Sequence, residues 1–393
     1  MAVSFLRRKP DSGLGNIRAS QSAPTRNIDW VLMLAVSALS VIGLAVVYTA
    51  SRTKFGPGAT TPFGFQFVTR QEIFLIGAVL AMIVVMSFDY DWWKDHARFL
   101  YGVTVMLLVL VIMVGAVSGG AALSFDLGPL KLQPAEFAKF TVLLTLAAYL
   151  AEDRSEVLQY HRFIIGLMIV GVPAGLIILQ PDLGSSSVLV VMAMGVMLIA
   201  GAKLRYMVLI SVVAVGTVLA AVVTKLVNQY QLARFTAFFN QDSTDKDLQD
   251  YVYQGRNAIR AVATGGIAGK GWLKGPITMA RNDIPVQWAD FPFSAIGEEF
   301  GLIGAAVVIG LYAVVLLRIW RIAHLSRDLL GTYLCVGVFS ILLWQVFQNI
   351  AMTIGIMPIT GLPLPWISYG GSGVVTFFAL IGLVQNVHMR RYR

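Results

Sequence analysis

Apolar runs close to 20 residues long recur along this chain, and about 20 residues is the length of helix that crosses a bilayer core. Ten such runs can be marked, at 30–50, 72–88, 99–118, 137–151, 163–179, 185–200, 206–224, 301–320, 331–353 and 370–388. Backbone groups in lipid find no water, so a spanning segment must satisfy its own hydrogen bonds, and a helix does so locally. With 57% hydrophobic and 13% charged residues, the chain fits a polytopic membrane protein rather than a soluble enzyme. The expected fold is an all-α polytopic membrane protein with ten transmembrane helices. Residues 1–29 are expected as a disordered basic cytoplasmic tail, and residues 30–393 as the membrane domain. One long polar interval, 225–300, breaks the pattern between the seventh and eighth helices.

Charge decides which way this interval faces. Lys and Arg are retained in short cytoplasmic loops. The loops after even-numbered helices carry Lys94 and Arg98, Arg154 and Arg162, Lys203 and Arg205, then Arg318, Arg321 and Arg327. The tails add Arg7, Arg8, Lys9, Arg18, Arg26, Arg390, Arg391 and Arg393. The opposite short loops hold only Arg52, Lys54, Arg70 and Lys131. Both termini are therefore expected in the cytoplasm. The 225–300 interval becomes a large extracellular loop, long enough to escape the charge rule. The net charge of +9 is scattered between apolar runs instead of gathered on a soluble face, which argues against nucleic-acid binding. A single cysteine, Cys335, excludes an intramolecular disulfide and a Cys-rich metal site.

Chemistry is sought where polar residues meet apolar ones. Asp290 stands between Trp288 and Phe291 near a membrane boundary, where desolvation raises a carboxylate pKa and improves it as a proton acceptor near neutral pH. An aspartate that merely caps the next helix is the structural alternative. Arg256 and Arg260 are four apart, share a helix face, and could grip a diphosphate, although a solvated face is the plainer account. Glu298 and Glu299 open the eighth helix, where acidic residues also suit the positive end of the helix dipole. Glu136 and Lys139, three apart at the start of the fourth helix, are expected to point inward as a pair, because an unpaired charge in a membrane helix is costly. From Met357, the stretch MPITGLPLPWISYGGSG has three prolines and four glycines, which forbid regular helix. Irregular backbone at membrane depth survives only beside protein or a watery cavity, so an outward-open cavity is expected near Ser368 and Tyr369. The tract TGGIAGKGW lacks the spacing of a nucleotide loop and reads as a flexible connection.

The motifs QPAEFAK, QPDLG, GGIAGKG, ADFPFSAIGEEFG and NIAMTIGIMPITGLPLPWISYGGSG resemble those of the SEDS family, named for shape, elongation, division and sporulation. The run MTIGIMPITG is more similar to the RodA branch than to the FtsW branch. This resemblance implies ten helices and a peptidoglycan glycosyltransferase that polymerises lipid II at the outer face of the membrane, for cell elongation and rod shape. It also implies a class B penicillin-binding protein as cross-linking partner. Asp290 matches the family's essential loop aspartate, Glu136 and Lys139 its glutamate and lysine after Gln-Pro, and Ser368 and Tyr369 its Ser-Tyr-Gly-Gly element. The chain departs from the pattern at Leu123 and Ser124, where Arg-Trp is usual, at Trp288 and Ala289 in place of His-Thr, and at Asn257 and Ala258 in place of Gln-Ser.

The expected mechanism has Asp290 as general base on the acceptor hydroxyl. Glu136 orients Lys139, which with Arg256 or Arg260 stabilises the departing polyprenyl diphosphate, and Glu136, Lys139, Arg256, Arg260, Glu298, Glu299, Ser368 and Tyr369 make up the substrate-binding set. No cofactor is evident; a divalent cation remains open, because hard cations bind carboxylates scattered along a chain. A precursor flippase and a non-catalytic scaffold are the competing functions.

Overall fold

The computed structural model describes residues 27–52, 64–114, 116–118, 121–126, 131–153, 157–223, 229–240, 246–281, 284 and 286–392. Most of the basic tail, together with Lys54 and Arg154, lies outside the described residues. The long helices are α1 (Trp30–Arg52), α2 (Gly64–Ser87), α3 (Tyr90–Val114), α4 (Pro134–Ala151), α5 (Tyr160–Leu179), α6 (Leu183–Ile199) and α7 (Leu204–Val223). The polar interval then forms α8 (Gln229–Phe239), α9 (Lys246–Gly265) and the short α10 (Gln287–Asp290), before α11 (Pro292–His324), α12 (Leu329–Thr353) and α13 (Gly371–Met389). Among the described residues, eight helices are long and apolar enough to cross a membrane. Helix α6, of 17 residues, is a further apolar helix, and α7 is apolar over Leu204–Val213.

The fold is not wholly helical. Strands β1 (Ala116–Ser118), β2 (Ala121–Asp126) and β3 (Lys131–Leu132) pair antiparallel in that order. This corrects the third expected run, which was carried to residue 118. Helix α3 begins at Tyr90, well before residue 99, and its 25 residues span roughly 38 Å at 1.5 Å each. That length already exceeds a hydrocarbon core of about 30 Å. Residues beyond Val114 are therefore free to pair as strands.

Burial sorts the helices into a centre and a rim. Helices α4, α12 and α13 are buried over most of their length, whereas α2, α3, α5 and the second half of α11 turn apolar side chains outward. Ile76, Leu80, Met113, Met168, Leu302 and Leu317 are among those exposed, as expected of a surface facing lipid. The last helix returns to lie along α2, and Asn386 Nδ2 donates to the carbonyls of Val85 and Phe88, both at 2.6 Å. At this end of the bundle, Arg318 pairs with Asp29 at 2.5 Å and Arg327 with Asp91 at 2.7 Å. Gln385 bonds the backbone N–H and carbonyl of Asp29, fastening the start of the described chain to its last helix. The irregular segments 354–370 and 266–275 lie at the other end of their helices.

Helix α11 is broken at Gly301, whose φ of 63° and ψ of −158° suit only glycine. A Cβ there would come within 2.4 Å of the Gly269 nitrogen. The glycine-rich tract explains how the break is tolerated. Lys270 and Gly271 donate to the carbonyls of Glu298 and Glu299, while Leu302 and Ile303 donate to the carbonyls of Gly266 and Ile267. Backbone groups released by the break thus find partners, as burial requires. The expected flexible connection is a fixed graft onto this helix.

Candidate active site

The irregular segment 354–370 is held by side chains of the central helices. Gln345 Nε2 donates to the Pro363 carbonyl at 3.0 Å, and Asn349 Nδ2 donates to Leu362 at 2.8 Å and to Asp290 at 2.9 Å. Tyr312 Oη donates to the Pro365 carbonyl at 2.5 Å. Ser368 Oγ accepts from the Leu364 N–H at 2.7 Å and donates to the Ala289 carbonyl at 2.6 Å. The Tyr369 N–H donates to the Trp288 carbonyl at 2.9 Å. Residues 288–290 are therefore fastened by three consecutive carbonyls, two to the Ser368–Tyr369 turn and one to α12. Ser368 has a positioning role: its hydroxyl joins the two chain segments that carry the site.

Between these segments and the start of α4 lies a cavity of about 520 Å³. Asp290, Glu136, Ser368 and Tyr369 line it, as do Arg70, Lys131, Gln133, Ser124 and Ser372. Its aromatic wall is formed by Phe67, Phe74, Trp288, Trp366, Tyr369 and Phe377. Volumes of this order suit a small organic ligand or one or two sugar rings.

Lys139 lies beneath the cavity, fully buried. Its Nζ is 2.6 Å from Glu136 Oε1, 3.2 Å from Gln345 Oε1 and 5.3 Å from the centre of the Phe377 ring. Pro134 at the first turn sets the helix in which Glu136 and Lys139 face one way. The other carboxylate oxygen, Glu136 Oε2, accepts no hydrogen bond from the described residues and sits next to Gly373 at the cavity wall. Glu136 thus joins the buried ammonium to the cavity.

Asp290 retains partial exposure toward the cavity, yet protein surrounds its carboxylate closely enough that burial pushes its pKa above the ordinary carboxylate range. Arg234 of α8 opposes this and holds the pKa down. Both groups converge on Gly361, where a Cβ would lie 3.3 Å from Arg234 Nη1 and 3.9 Å from Asp290 Oδ1. Burial also raises the Tyr369 pKa, against the pull of Arg70, which bonds its hydroxyl.

Four of the expected binding residues do not meet Asp290. Arg256 lines a separate, much smaller cavity with Arg234 and Tyr251, and Arg260 is exposed. Amphipathic α9 turns the two arginines to different surroundings, although four residues apart. Glu298 and Glu299 do not open a helix; they close the first segment of α11, just before the break at Gly301. Glu298 accepts from the Ile277 and Thr278 N–H groups at 2.7 and 2.9 Å and from the Thr278 hydroxyl. Glu299 accepts from the Leu273 N–H at 3.0 Å. Their carboxylates brace the loop, and neither lines the Asp290 cavity. Conversely, Arg70 and Arg234 stand outside the expected binding set, because they are distant in sequence and only the fold brings them to this cavity or its edge, whereas Lys131, five residues before Glu136, lines the cavity with it. Asp182 of the QPDLG motif caps α6, accepting from the Ser185 N–H at 2.9 Å, and takes a bond from Gln133. Among the described residues, no group of three or more His, Cys, Asp or Glu side chains is placed to hold a metal ion.

Comparison with known proteins extends this geometry. The profile of the FtsW/RodA/SpoVE family, described as cell cycle protein, matches residues 29–393. Stage V sporulation protein E of Bacillus subtilis (strain 168) is 32% identical over 370 residues, covering 91% of this chain and 96% of the relative. Peptidoglycan glycosyltransferase MrdB of Escherichia coli (strain K12) is 31% identical over 369 residues, covering 93% and 94%. A solved structure described as showing structural coordination of polymerization and crosslinking by a peptidoglycan synthase complex aligns with a TM-score of 0.75 and 28% identity. That alignment covers 93% of this chain and 99% of the other.

Proposed function

The chain belongs to the FtsW/RodA/SpoVE family, and from this we infer that it is a peptidoglycan glycosyltransferase whose reaction takes place in the Asp290 cavity. The observation that supports this site is the meeting of Asp290 with Glu136 and, through it, Lys139 at one cavity, although Asp290 and Glu136 are 154 residues apart in the chain.

The substrate we propose is lipid II, a saccharide carried on a polyprenyl diphosphate. An acceptor hydroxyl attacks the anomeric carbon of the donor. A carbon–oxygen bond forms there as the bond to the diphosphate breaks. The hydroxyl proton passes to Asp290, and the diphosphate leaves with the bonding electrons. Arg70 and Lys131, which line the cavity, replace Arg256 and Arg260 as the groups that stabilise the leaving diphosphate. Lys139 acts as a positioning residue by fixing the orientation of Glu136 through their 2.6 Å contact.

Two consequences can be measured. Neutralising Arg70 or Lys131 is expected to raise KM and lower kcat about tenfold each, on the scale of one charge-assisted contact. Neutralising Arg256 or Arg260 leaves both constants within about twofold of wild type. Equal losses from all four would remove this assignment. The second concerns pH. A base must be deprotonated, so activity falls as pH drops through the Asp290 pKa, and burial places this acid limb above the usual carboxylate range. Arg234→Gln removes the group that lowers the pKa, so the limb moves to higher pH. A limb that stays in place or moves down would exclude Asp290 as the titrating base.

We further propose ten crossings, with α6 and α7 added to the other eight, cytoplasmic termini and a cavity open to the outer face. Accessibility of cysteines introduced near residues 240 and 325 tests that orientation. The partner we propose is a class B penicillin-binding protein, supported by the likeness to a chain of a peptidoglycan synthase complex; co-purification tests it. The role in elongation rests on the run MTIGIMPITG, since identities of 32% and 31% to a sporulation protein and to MrdB do not separate branches. Rescue of elongation-depleted but not division-depleted cells is the outcome it requires. A reconstituted assay that scores glycan polymer and lipid translocation separately tests the activity itself. Translocation without polymer would favour a flippase.

A further inference from the structure

We propose that Trp288, backed by Phe67 and Tyr369, is a stacking platform for a pyranose ring of the saccharide, and so a specificity-determining residue for the sugar part of the substrate. This rests on the glycosyltransferase assignment and adds to it a residue that recognises the sugar. The three rings form one contiguous wall of the cavity. Phe67 is 5.0 Å from Trp288 between ring centres and 4.8 Å from Tyr369, at interplanar angles of 49° and 69°. Phe74 extends the wall, 6.1 Å from Tyr369. Tilted and edge contacts of this kind fix ring orientation by quadrupole attraction.

Three features distinguish this wall from ordinary packing. The first is exposure. Trp288 and Tyr369 are only partly buried, whereas Trp366 and Phe377, on the same lining, are 1% exposed. A half-open aromatic wall presents an apolar face to whatever enters.

The second is how the segment is held. Residues 288–290 are fixed through the carbonyls of Trp288, Ala289 and Asp290, bonded by the Tyr369 N–H, the Ser368 hydroxyl and Asn349. Any residue at 288 could make the first of these bonds, so the junction does not require an indole. The same bonds hold the indole at a fixed offset from the Asp290 carboxylate, two residues on.

The third is the mixed chemistry of the cavity. A pyranose ring has an apolar face of axial C–H bonds and an equatorial rim of hydroxyls. The aromatic wall suits the face, and Arg70, Lys131, Gln133 and Ser372 elsewhere on the lining suit the rim. A polyprenyl tail would need no such rim.

The test uses the purified full-length chain with two probes, lipid II and undecaprenyl diphosphate, which keeps the lipid and the charge but lacks the sugar. Trp288→Ala is expected to weaken lipid II binding and raise its KM about tenfold, with kcat largely kept and undecaprenyl diphosphate binding unchanged. Trp288→Phe recovers most of the loss, whereas Trp288→Leu, branched and apolar but without a ring face, does not. Should Trp288→Ala fail to fold, the comparison of Phe with Leu decides the matter. Equal weakening of both probes would assign the wall to the lipid, and full function of the Leu variant would show that no ring face is needed; either result overturns the proposal. If the wild type binds both probes but makes no polymer, the glycosyltransferase assignment fails, while the contrast between probes still reads the platform.

Discussion

Asp290→Asn is expected to lower the rate of lipid II polymerisation by about 10²–10⁴-fold, the range that a positioned general base supplies. The amide keeps the shape of the side chain and cannot take a proton. The Asp290 carbonyl bond from Asn349, at 2.9 Å, belongs to the backbone and survives the change. Fold and substrate affinity should therefore remain, with the loss confined to kcat. Thermal unfolding in detergent and binding of lipid II, run beside the polymerisation assay, separate a chemical defect from a structural one. An Asn variant that polymerises at the wild-type rate would remove Asp290 from the mechanism, and one that no longer binds lipid II would make it a binding group.

Lys139→Met is expected to cost about 3–5 kcal/mol of stability, because removing one partner of a buried ion pair leaves the other charge without compensation. Here the stranded group is Glu136, 3% exposed and paired at 2.6 Å in the intact protein. Glu136→Gln strands the ammonium instead and should cost about as much, although Gln345 Oε1 at 3.2 Å retains one bond to it. The double variant Glu136→Gln with Lys139→Met removes both charges and should recover much of the stability, as apolar replacement of buried pairs commonly does. It should not recover activity, since the negative charge at the cavity wall is gone. Additive losses in the thermal unfolding of the double variant would show that the two residues do not act as a pair.

The architecture was legible where one physical rule acted alone. Apolar runs of spanning length marked the long helices, because in hydrocarbon each run must satisfy its backbone locally. The proline and glycine content after Met357 likewise announced irregular chain beside a cavity, and that segment lines it. Rules that need a neighbour failed. Glu298 and Glu299 looked like residues at a helix start because the apolar run begins at Gly301, yet the helix begins at Pro292 and breaks at that glycine. Arg256 and Arg260 had the spacing of a shared face, but which cavity a face meets is not written in its spacing. Strand β1, Ala116–Ser118, was absorbed into an apolar run because alanine and valine serve either structure, and β2 and β3 fell between the runs, where hydropathy marks no element.

By itself, the sequence determined that this chain crosses a membrane many times, and that its polar chemistry lies at the helix ends and in one long loop. It also marked Asp290, Glu136 and Lys139, since charged groups near lipid are too costly to be incidental. Only the tertiary structure decided which charges share a cavity. Arg70 on α2, Lys131 on β3 and Trp288 beside Asp290 meet there because the 288–290 carbonyls bond the Ser368–Tyr369 turn and α12, and α13 returns along α2. Helical period and hydropathy act over a few residues. Convergence across more than 200 residues depends on which buried polar groups find partners, and that is settled only when the helices pack.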